Sequence, residues 1–528
     1  MSLTDSQNVE AATTSLQSQP DAKTRRYDRQ LRLWAATGQN ALEASRILLL
    51  SGTATSTSIL KNLVLPGIGH FTILDAASVT PEDAGNNFFL EGPDSIGKNR
   101  AVEAVRLLGE LNDGVEGKAV EESVEDVLKN KPEWIKGFTL VIAHNLPVKV
   151  VQQLSDLLWA EEAGSSLIVV KSAGFLAEFS IQFHDHASTL IHTVLVDTSF
   201  SFELITDPFP TLLEHATSLD LAAMDPTDHS HVPYVVLLVR VLDDWKKAHD
   251  GNPPQTYPEK QEFKNLIMSM KVKQDEENFD EAWNSAYRCW SEAKIPSDIS
   301  SLFTLPAPSP SSDPNTLQFF ALLTALKEFT QTQPPHTLPL SATLPDMHTS
   351  TESYIHLQKL YKARAGEEKA IFKTLLAKVP GGADVTDDIV DSFLKNCHAL
   401  KVLRGKKWGA FDTDRAALTA ALQTSPREVS THLAFSALSA LPIDVSPTEE
   451  SLRAAVQSII GQDVELPEEF DNAIGEIARS PTADIPTTSA FLGGLVAQEA
   501  IKMITKQYVP INGYCVVDLV ETWTGVVG

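Results

Sequence analysis

The stretch Arg46-Ile47-Leu48-Leu49-Leu50-Ser51-Gly52-Thr53-Ala54-Thr55-Ser56-Thr57 decides the fold of this chain. An apolar run that passes at once into a Ser/Thr-rich segment reads as a buried strand entering a helix. That is the place where a nucleotide-binding chain carries G-x-G-x-x-G. All three glycines of that spacing are absent: Ser51, Thr53 and Ser56 stand in their positions, and Gly52 falls on a variable one. The second glycine of the motif lets the backbone approach phosphate, and the third lets the helix pack close to the strand. Side chains there obstruct a phosphate cradle, so this half of the fold is expected to hold no nucleotide of its own.

Working outward, a helix over 56–65 and the turn Pro66-Gly67-Ile68-Gly69 lead to a second strand that ends in Asp75. An acidic strand end about 20 residues past the glycine positions is the other half of the dinucleotide fingerprint. The unit is β-α-β with its architecture kept and its ligand chemistry removed. Decay from a nucleotide site and a first turn that never bound one both fit these residues.

From Arg25 to about Phe183, helical stretches (27–36, 99–111, 147–162) alternate with short apolar strands (47–50, 71–74, 138–143, 167–170), the mark of a mostly parallel, helix-covered sheet. An alternating run over 175–183 reads as an antiparallel edge. After Asp185 the pattern becomes long helical periodicity, as at 232–248, 261–271, 278–293, 316–330, 350–378 and 451–460. Two joints, 305–314 and 332–345, are too rich in proline to lie inside helices. The first style returns with an apolar helix over 490–502, whose small residues suit close packing, and a strand over 514–518. The predicted class is α/β, a Rossmann-like fold split by a large, mostly helical insertion. Its expected division is a disordered tail 1–22, a first part 23–184, the insertion 185–483 and a completing segment 484–528.

Composition restricts the partners. With 528 residues and 43% hydrophobic content the chain has room for roughly three to four domains. Forty-three basic against sixty-nine acidic residues give a net charge of −26, which opposes nucleic acid and anionic membranes and suits basic protein partners. Cys289, Cys397 and Cys515 lack C-x-x-C spacing, which argues against a disulfide framework or a cysteine zinc site and for an intracellular compartment, cytoplasm and/or nucleus. The tail has no apolar core of a secretory leader, and no segment approaches the ~20 apolar residues of a membrane span.

Four further segments carry a resemblance: Tyr27-Asp28-Arg29-Gln30-Leu31-Arg32-Leu33-Trp34; Leu60 to Gly69; Asp83-Ala84-Gly85-Asn86-Asn87-Phe88-Phe89; and Phe491-Leu492-Gly493-Gly494 with Gln498-Glu499. In this order they resemble activating enzymes for ubiquitin-like modifiers, and among these the non-catalytic subunits of the heterodimeric enzymes of neddylation. Asp228-His229-Ser230-His231, Asp275 to Phe279 and Leu344-Pro345-Asp346-Met347 extend the likeness through the insertion. The resemblance implies an adenylation-type fold and a regulatory subunit with no activity alone. Its implied partners are a catalytic subunit that holds ATP and magnesium, a ubiquitin-like modifier and, through the complex, a conjugating enzyme. No cofactor or metal is expected on this chain. Asn86 stands where the catalytic halves carry an arginine near the nucleotide. A shorter relative, the regulatory subunit for the SUMO modifier, is the alternative within the family. A self-sufficient NAD-dependent oxidoreductase is the alternative outside it, disfavoured by the missing glycines.

Arg29 is the one candidate catalytic residue. Tyr27, Leu31 and Trp34 define an apolar helix face, and Asp28 with Arg32 forms an i,i+4 pair, which leaves Arg29 free. By itself that pattern reads as a solvated charge or a salt bridge. The resemblance implies an arginine finger that reaches the partner's ATP. Segments 27–34 and 491–502 are the first expected near the interface. Lys98 fits either a remnant phosphate ligand at a helix start or a solvated lysine, and Asp75 is equally open. The resemblance implies that active subunits carry a thioester-forming cysteine just after a Pro-Arg segment; the one such pair here, Pro426-Arg427, has no cysteine nearby, so none is expected, and the three thiols read as buried and structural. His184 with His186 and His229 with His231 are two ligands without a third, better read as hydrogen-bonded histidines than as a metal site.

Overall fold

Leu48, Leu49 and Leu50 are fully buried because their strand, β1 (Arg46–Leu50), lies inside an eight-stranded sheet. The computed structural model describes residues 22–161, 164–188, 205–290, 293–310, 312, 314–442 and 445–528. The other strands of the sheet are β2 (His70–Leu74), β3 (Glu116–Val120), β4 (Leu140–His144), β5 (Ser166–Ala173), β6 (Leu176–Gln182), β7 (Tyr514–Asp518) and β8 (Trp523–Val527). Their order is β8-β7-β6-β5-β4-β1-β2-β3. Strands β3, β2, β1, β4 and β5 are parallel, with Leu48 paired to Thr72 on one side and Val141 on the other; β6, β7 and β8 are antiparallel. The chain runs outward from β1 in one direction and resumes at β4 in the other. The carboxyl ends of β1 and β4 are therefore the switch point where such sheets bind ligands.

Alternate residues of each strand meet different helix layers, as the pleat requires. Ile47, Leu49, Phe71 and Ile73 pack with the helices Ala54–Val64, Arg100–Gly109 and Pro486–Thr505. Leu48, Leu50, Val141 and Ala143 pack with Val124–Asn130 and Val148–Trp159 on the other face. Strands buried on both faces read as unbroken apolar runs, which is why β1 and β4 stand out in the sequence. The alternating run 175–183 does form an antiparallel strand, but β7 and β8 extend the sheet beyond it, so it is interior and not an edge. At the opposite end the true edge is β3, whose Glu-Gly-Lys-Ala-Val sequence is too polar to signal a strand. Charge there discourages pairing with another chain.

The chain divides into two compact units. Residues up to His186 and Leu403–Gly528 form one, and Ala187–Val402 the other. The first boundary falls close to 184/185, whereas the return comes at 403 instead of 484. Helices Arg415–Thr424, Pro426–Ala440, Glu449–Ile460 and Glu468–Arg479 bury Leu418, Leu433, Phe435, Val456, Phe470 and Ile474 against Leu176, Tyr514 and Val516 of the sheet. Helical periodicity reveals that a face is buried, not which surface buries it. The expected tail 1–22 lies outside the described residues except for Ala22, where the first helix, Ala22–Ala44, begins. In the second unit, helix Tyr234–Ala248 is buried along most of its length among Phe263, Phe279 and Tyr361. A second cluster gathers Phe319, Phe320 and Phe329 with Phe372 and Phe393.

Helices Pro486–Thr505 and Ala54–Val64 approach so closely that a Cβ on Gly493 would lie 2.7 Å from Ser58 Cβ and 2.8 Å from its carbonyl carbon, whereas Gly494 faces open space. Overpacking a rigid contact costs about 1–3 kcal/mol or more. Gly493→Val should thus lower unfolding stability by about 3 kcal/mol. Gly494→Ala should be neutral or stabilising by about 0.5 kcal/mol through helix propensity. Denaturant titration of both variants checks the contrast.

A buried charged network ties the sheet to the helices after residue 403. His432 Nδ1 lies 2.9 Å from Glu178 Oε2 and its Nε2 3.4 Å from Asp412 Oδ1, while Lys171 reaches Glu178 at 3.0 Å. The Tyr514 hydroxyl donates to Asp412. Burial alone would depress the His432 pKa, but Glu178 and Asp412 outweigh it and hold it at about 9. Burial likewise pushes both carboxyls up, yet for Asp412 the His432 and Tyr514 hydrogen bonds, and for Glu178 the Lys171 and His432 charges, bring them below the ordinary value. A raised histidine stabilises fully below its unfolded value of 6.5 and loses that contribution as pH climbs through about 9. The depressed carboxyls lose theirs as pH falls below the ordinary carboxylate range. Between pH 6.5 and 9.5 the first unit should lose on the order of 3 kcal/mol, and His432→Gln should flatten that slope. Unfolding midpoints across this range provide the readout.

Candidate functional site

The turn after β1 keeps its shape without its glycines. Ser51 adopts φ 96°, a left-handed conformation that favours glycine. Its N–H donates to Leu74 O at 3.1 Å and its hydroxyl to His144 O at 3.2 Å, so bonds on both sides hold a serine in a strained geometry. Gly52 N–H donates to Asp75 Oδ2 at 2.7 Å. Thr53 is the N-cap of helix Ala54–Val64, its hydroxyl accepting from Ser56 N at 3.3 Å and lying 2.7 Å from His144 Nδ1. Desolvation depresses the pKa of the buried His144, keeping the ring neutral, and its Nε2 lies 2.9 Å from Ser172 Oγ. Asn87 closes the front: its amide donates to Gly52 O, and its carbonyl accepts from Thr57 Oγ1 at 2.8 Å and Phe89 N at 2.9 Å.

The acidic strand end has found a protein partner. Asp75 Oδ2 accepts from Gly52 N and from Arg100 Nε at 2.7 Å, and Oδ1 accepts from Ala77 N at 2.9 Å. Arg100 also donates from Nη1 to Asp83 Oδ1 at 2.9 Å, which makes one guanidinium the bridge between two carboxylates. Burial opposes its charge, but Asp75 and Asp83 raise its pKa further. In a dinucleotide site this carboxylate would meet a ribose hydroxyl. Here its acceptor positions face a backbone amide on each side and a buried cation.

The amino end of helix Ala54–Val64, where such folds seat phosphate, is met by a carboxylate from the far end of the chain. Asp484 Oδ2 accepts from Thr55 N at 3.0 Å, and Oδ1 accepts from Thr55 Oγ1 at 2.5 Å and Ser489 Oγ at 2.7 Å. Thr55 and Ser489 are buried. The amide, the strand-end acid and the helix end that would hold a nucleotide are thus bonded within the protein, and the residues present do not fit one. Sequence reasoning identified Asp75 but missed Arg100, Asp83, His144 and Asp484. Arg100 lies two residues after Lys98, whereas Asp484 lies 429 residues from Thr55 and carries no local signal.

Arg29 lies on the exposed side of helix Ala22–Ala44 and has no ion pair among the described residues. The face expected to be apolar turns inward, with Tyr27 and Trp34 buried and Leu31 half-buried. Asp28 and Arg32 pair at 3.0 Å. Tyr27 is fixed by Asn112, whose amide donates to its hydroxyl at 3.0 Å. Arg29 is therefore presented to solvent by a helix anchored on its opposite face. Lys98 Nζ lies 3.6 Å from Glu103 Oε1 just ahead of helix Arg100–Gly109. Asn86 ends the short helix Pro81–Asn86 and is half-buried.

All three cysteines are buried, and none forms a disulfide. Burial raises the Cys515 pKa to about 12 and that of Cys289 further, so both are thiols at neutral pH and poor nucleophiles. His184 and His186 bond to carbonyls of Trp159 and Tyr508, His229 to Glu276 and His231 to the Thr227 carbonyl. Each of the four rings thus has at least one hydrogen-bond partner. No helix among the described residues is long and apolar enough to cross a membrane.

Arg100→Met should leave Asp75 and Asp83 charged without a cation and cost about 3 kcal/mol. Arg100→Lys should recover only part of this, because an ammonium lacks the fork that spans two carboxylates. Chemical denaturation of the parent and both variants at pH 7 measures the two deficits.

The model of the ThiF family matches residues 27–522. The chain is similar to the NEDD8-activating enzyme E1 regulatory subunit of Xenopus laevis, 34% identical over 516 residues that cover 93% of this chain and 96% of the relative. It is similar also to the NEDD8-activating enzyme E1 regulatory subunit AXL of Arabidopsis thaliana, 34% identical with 92% and 96% covered. Among solved structures, the selenomethionine form of PaaA is 17% identical and covers 33% of this chain and 57% of its own, with a TM-score of 0.28.

Proposed function

We propose, from the premise that the chain belongs to the ThiF family and to its branch of NEDD8-activating enzyme E1 regulatory subunits, that it completes the adenylation site of a catalytic partner. The partner subunit, not this chain, holds ATP and magnesium. The observation that carries this reading is the closed cradle: Asp75, Gly52 and the end of helix Ala54–Val64 are bonded to Arg100 and Asp484 of the same chain. A fold that keeps its architecture while filling its ligand positions is useful as half of a heterodimer. The names of the relatives favour neddylation over the SUMO pathway, and the filled cradle disfavours an NAD-dependent oxidoreductase. The modifier is a ubiquitin-like protein of the neddylation pathway, and a conjugating enzyme meets the chain through the complex. Three buried thiols, none in a disulfide, accord with an intracellular site, cytoplasm and/or nucleus.

In the adenylation step an oxygen of the modifier's terminal carboxylate bonds to the α-phosphorus of ATP. The bond from that phosphorus to the bridging oxygen breaks, and pyrophosphate leaves with the electron pair. Negative charge grows on the departing phosphates. Arg29, permanently charged and able to bond two oxygens at once, stabilises that charge when its helix docks on the partner. The buried Tyr27 and Trp34 fix the helix from behind, and exposed Leu33 and Phe491 supply apolar surface for the partner to cover.

Arg29→Ala should reduce ATP–pyrophosphate exchange by the assembled heterodimer about 10²–10³-fold, with assembly unchanged by size-exclusion chromatography. Arg29→Lys should restore only part of the rate. Equal exchange by mutant and parent would remove Arg29 from the mechanism.

A further inference from the structure

The seat at the head of helix Ala54–Val64 has three donors that converge on one carboxylate: the Thr55 amide and the hydroxyls of Thr55 and Ser489. Both hydroxyls aim at the same oxygen, Oδ1, and the amide at the other. A helix N-terminus favours anions by its dipole and its unsatisfied N–H groups. Asp484 is not a chance neighbour, because the segment that carries it is pinned on both sides. Gly174 N donates to Ala483 O at 3.0 Å, and Thr488 Oγ1 donates to Gly174 O at 2.6 Å. Gly493 then locks the following helix against Ser58.

We infer that this seat is an internal ligand site, in which the Asp484 carboxylate takes the position of a phosphate group and bars free phosphate from it. The inference rests on the reading that this chain holds no nucleotide, and it goes further by naming the residue responsible. Missing glycines narrow the cradle; the carboxylate fills what remains and repels a second anion. The two bonds from Thr55 to Asp484 fasten the start of the carboxy-terminal helix to the first crossover, so the exclusion of anions and the completion of the fold share one carboxylate.

Asp484→Ala in the full chain tests this by thermal unfolding in sodium pyrophosphate against sodium chloride of matched ionic strength. The parent should melt at the same temperature in both salts. The variant should melt lower in chloride and regain a few degrees in pyrophosphate, because an anion then binds only the folded state. A variant that melts like the parent, or one whose loss no anion repairs, overturns the inference. Should the alanine variant fail to fold, Asp484→Asn keeps the shape but removes the charge. Its Thr55 amide should exchange hydrogen about tenfold faster than in the parent, and equal exchange overturns the inference by the second route. A parent chain stabilised by ATP itself would instead sink the reading beneath it, so the two failures are distinguishable.

Discussion

The close approach of helix Pro486–Thr505 to helix Ala54–Val64 is the contact on which the rest of the first unit depends. It is set by the absence of a side chain at Gly493, opposite Ser58. Interiors are packed too densely for such a contact to yield by even one methyl group. Through it, a segment more than 400 residues downstream becomes part of the first crossover. The helix covers the same sheet face as Arg100–Gly109, buries Leu492, Val496 and Ala500, and delivers β7 to the side of β6. Chain that leaves the first unit after His186 and returns at Leu403 must therefore close a long loop. That closure is affordable because its entropic cost rises only logarithmically with length.

Most polar groups in so dense an interior need a partner within the protein, and the filled cradle shows how the chain supplies them. A strand-end acid and a helix N-terminus are both designed by their geometry to meet a ligand. Left bare beneath the surface they would each cost free energy. Arg100 neutralises Asp75, Asp484 caps Thr55, and Asn87 bridges Gly52 and Thr57. Ser51, Thr53 and Ser56, which stand at the glycine positions, each make a side-chain bond that keeps the turn in place, including the left-handed Ser51.

Charge follows the same division between interior and exterior. His432, Glu178, Asp412 and Lys171 form a buried set of two cations and two anions that joins the sheet to the helices after residue 403. Buried charges of this kind persist only when each has a partner. Arg29 is the opposite case, an exposed cation without an ion pair among the described residues, on a chain of net charge −26. A guanidinium held outward by a helix that is anchored through Tyr27 and Trp34 is available to a second molecule.

The sequence by itself determined the β-α-β core, the loss of the glycine cradle, the outward position of Arg29 and the burial of the thiols. Each of these depends on residues a few positions apart, and periodicity or spacing records such relations directly. Tertiary structure alone decided that 403–483 joins the first unit, that the run 175–183 lies inside the sheet, and that polar Glu116–Val120 forms its edge. It alone brought Asp484 to Thr55 and Arg100 between Asp75 and Asp83. A carboxylate that serves a distant helix looks in sequence like any other surface acid. Its role exists only once packing has folded the chain back and brought it to the amide and hydroxyl of Thr55.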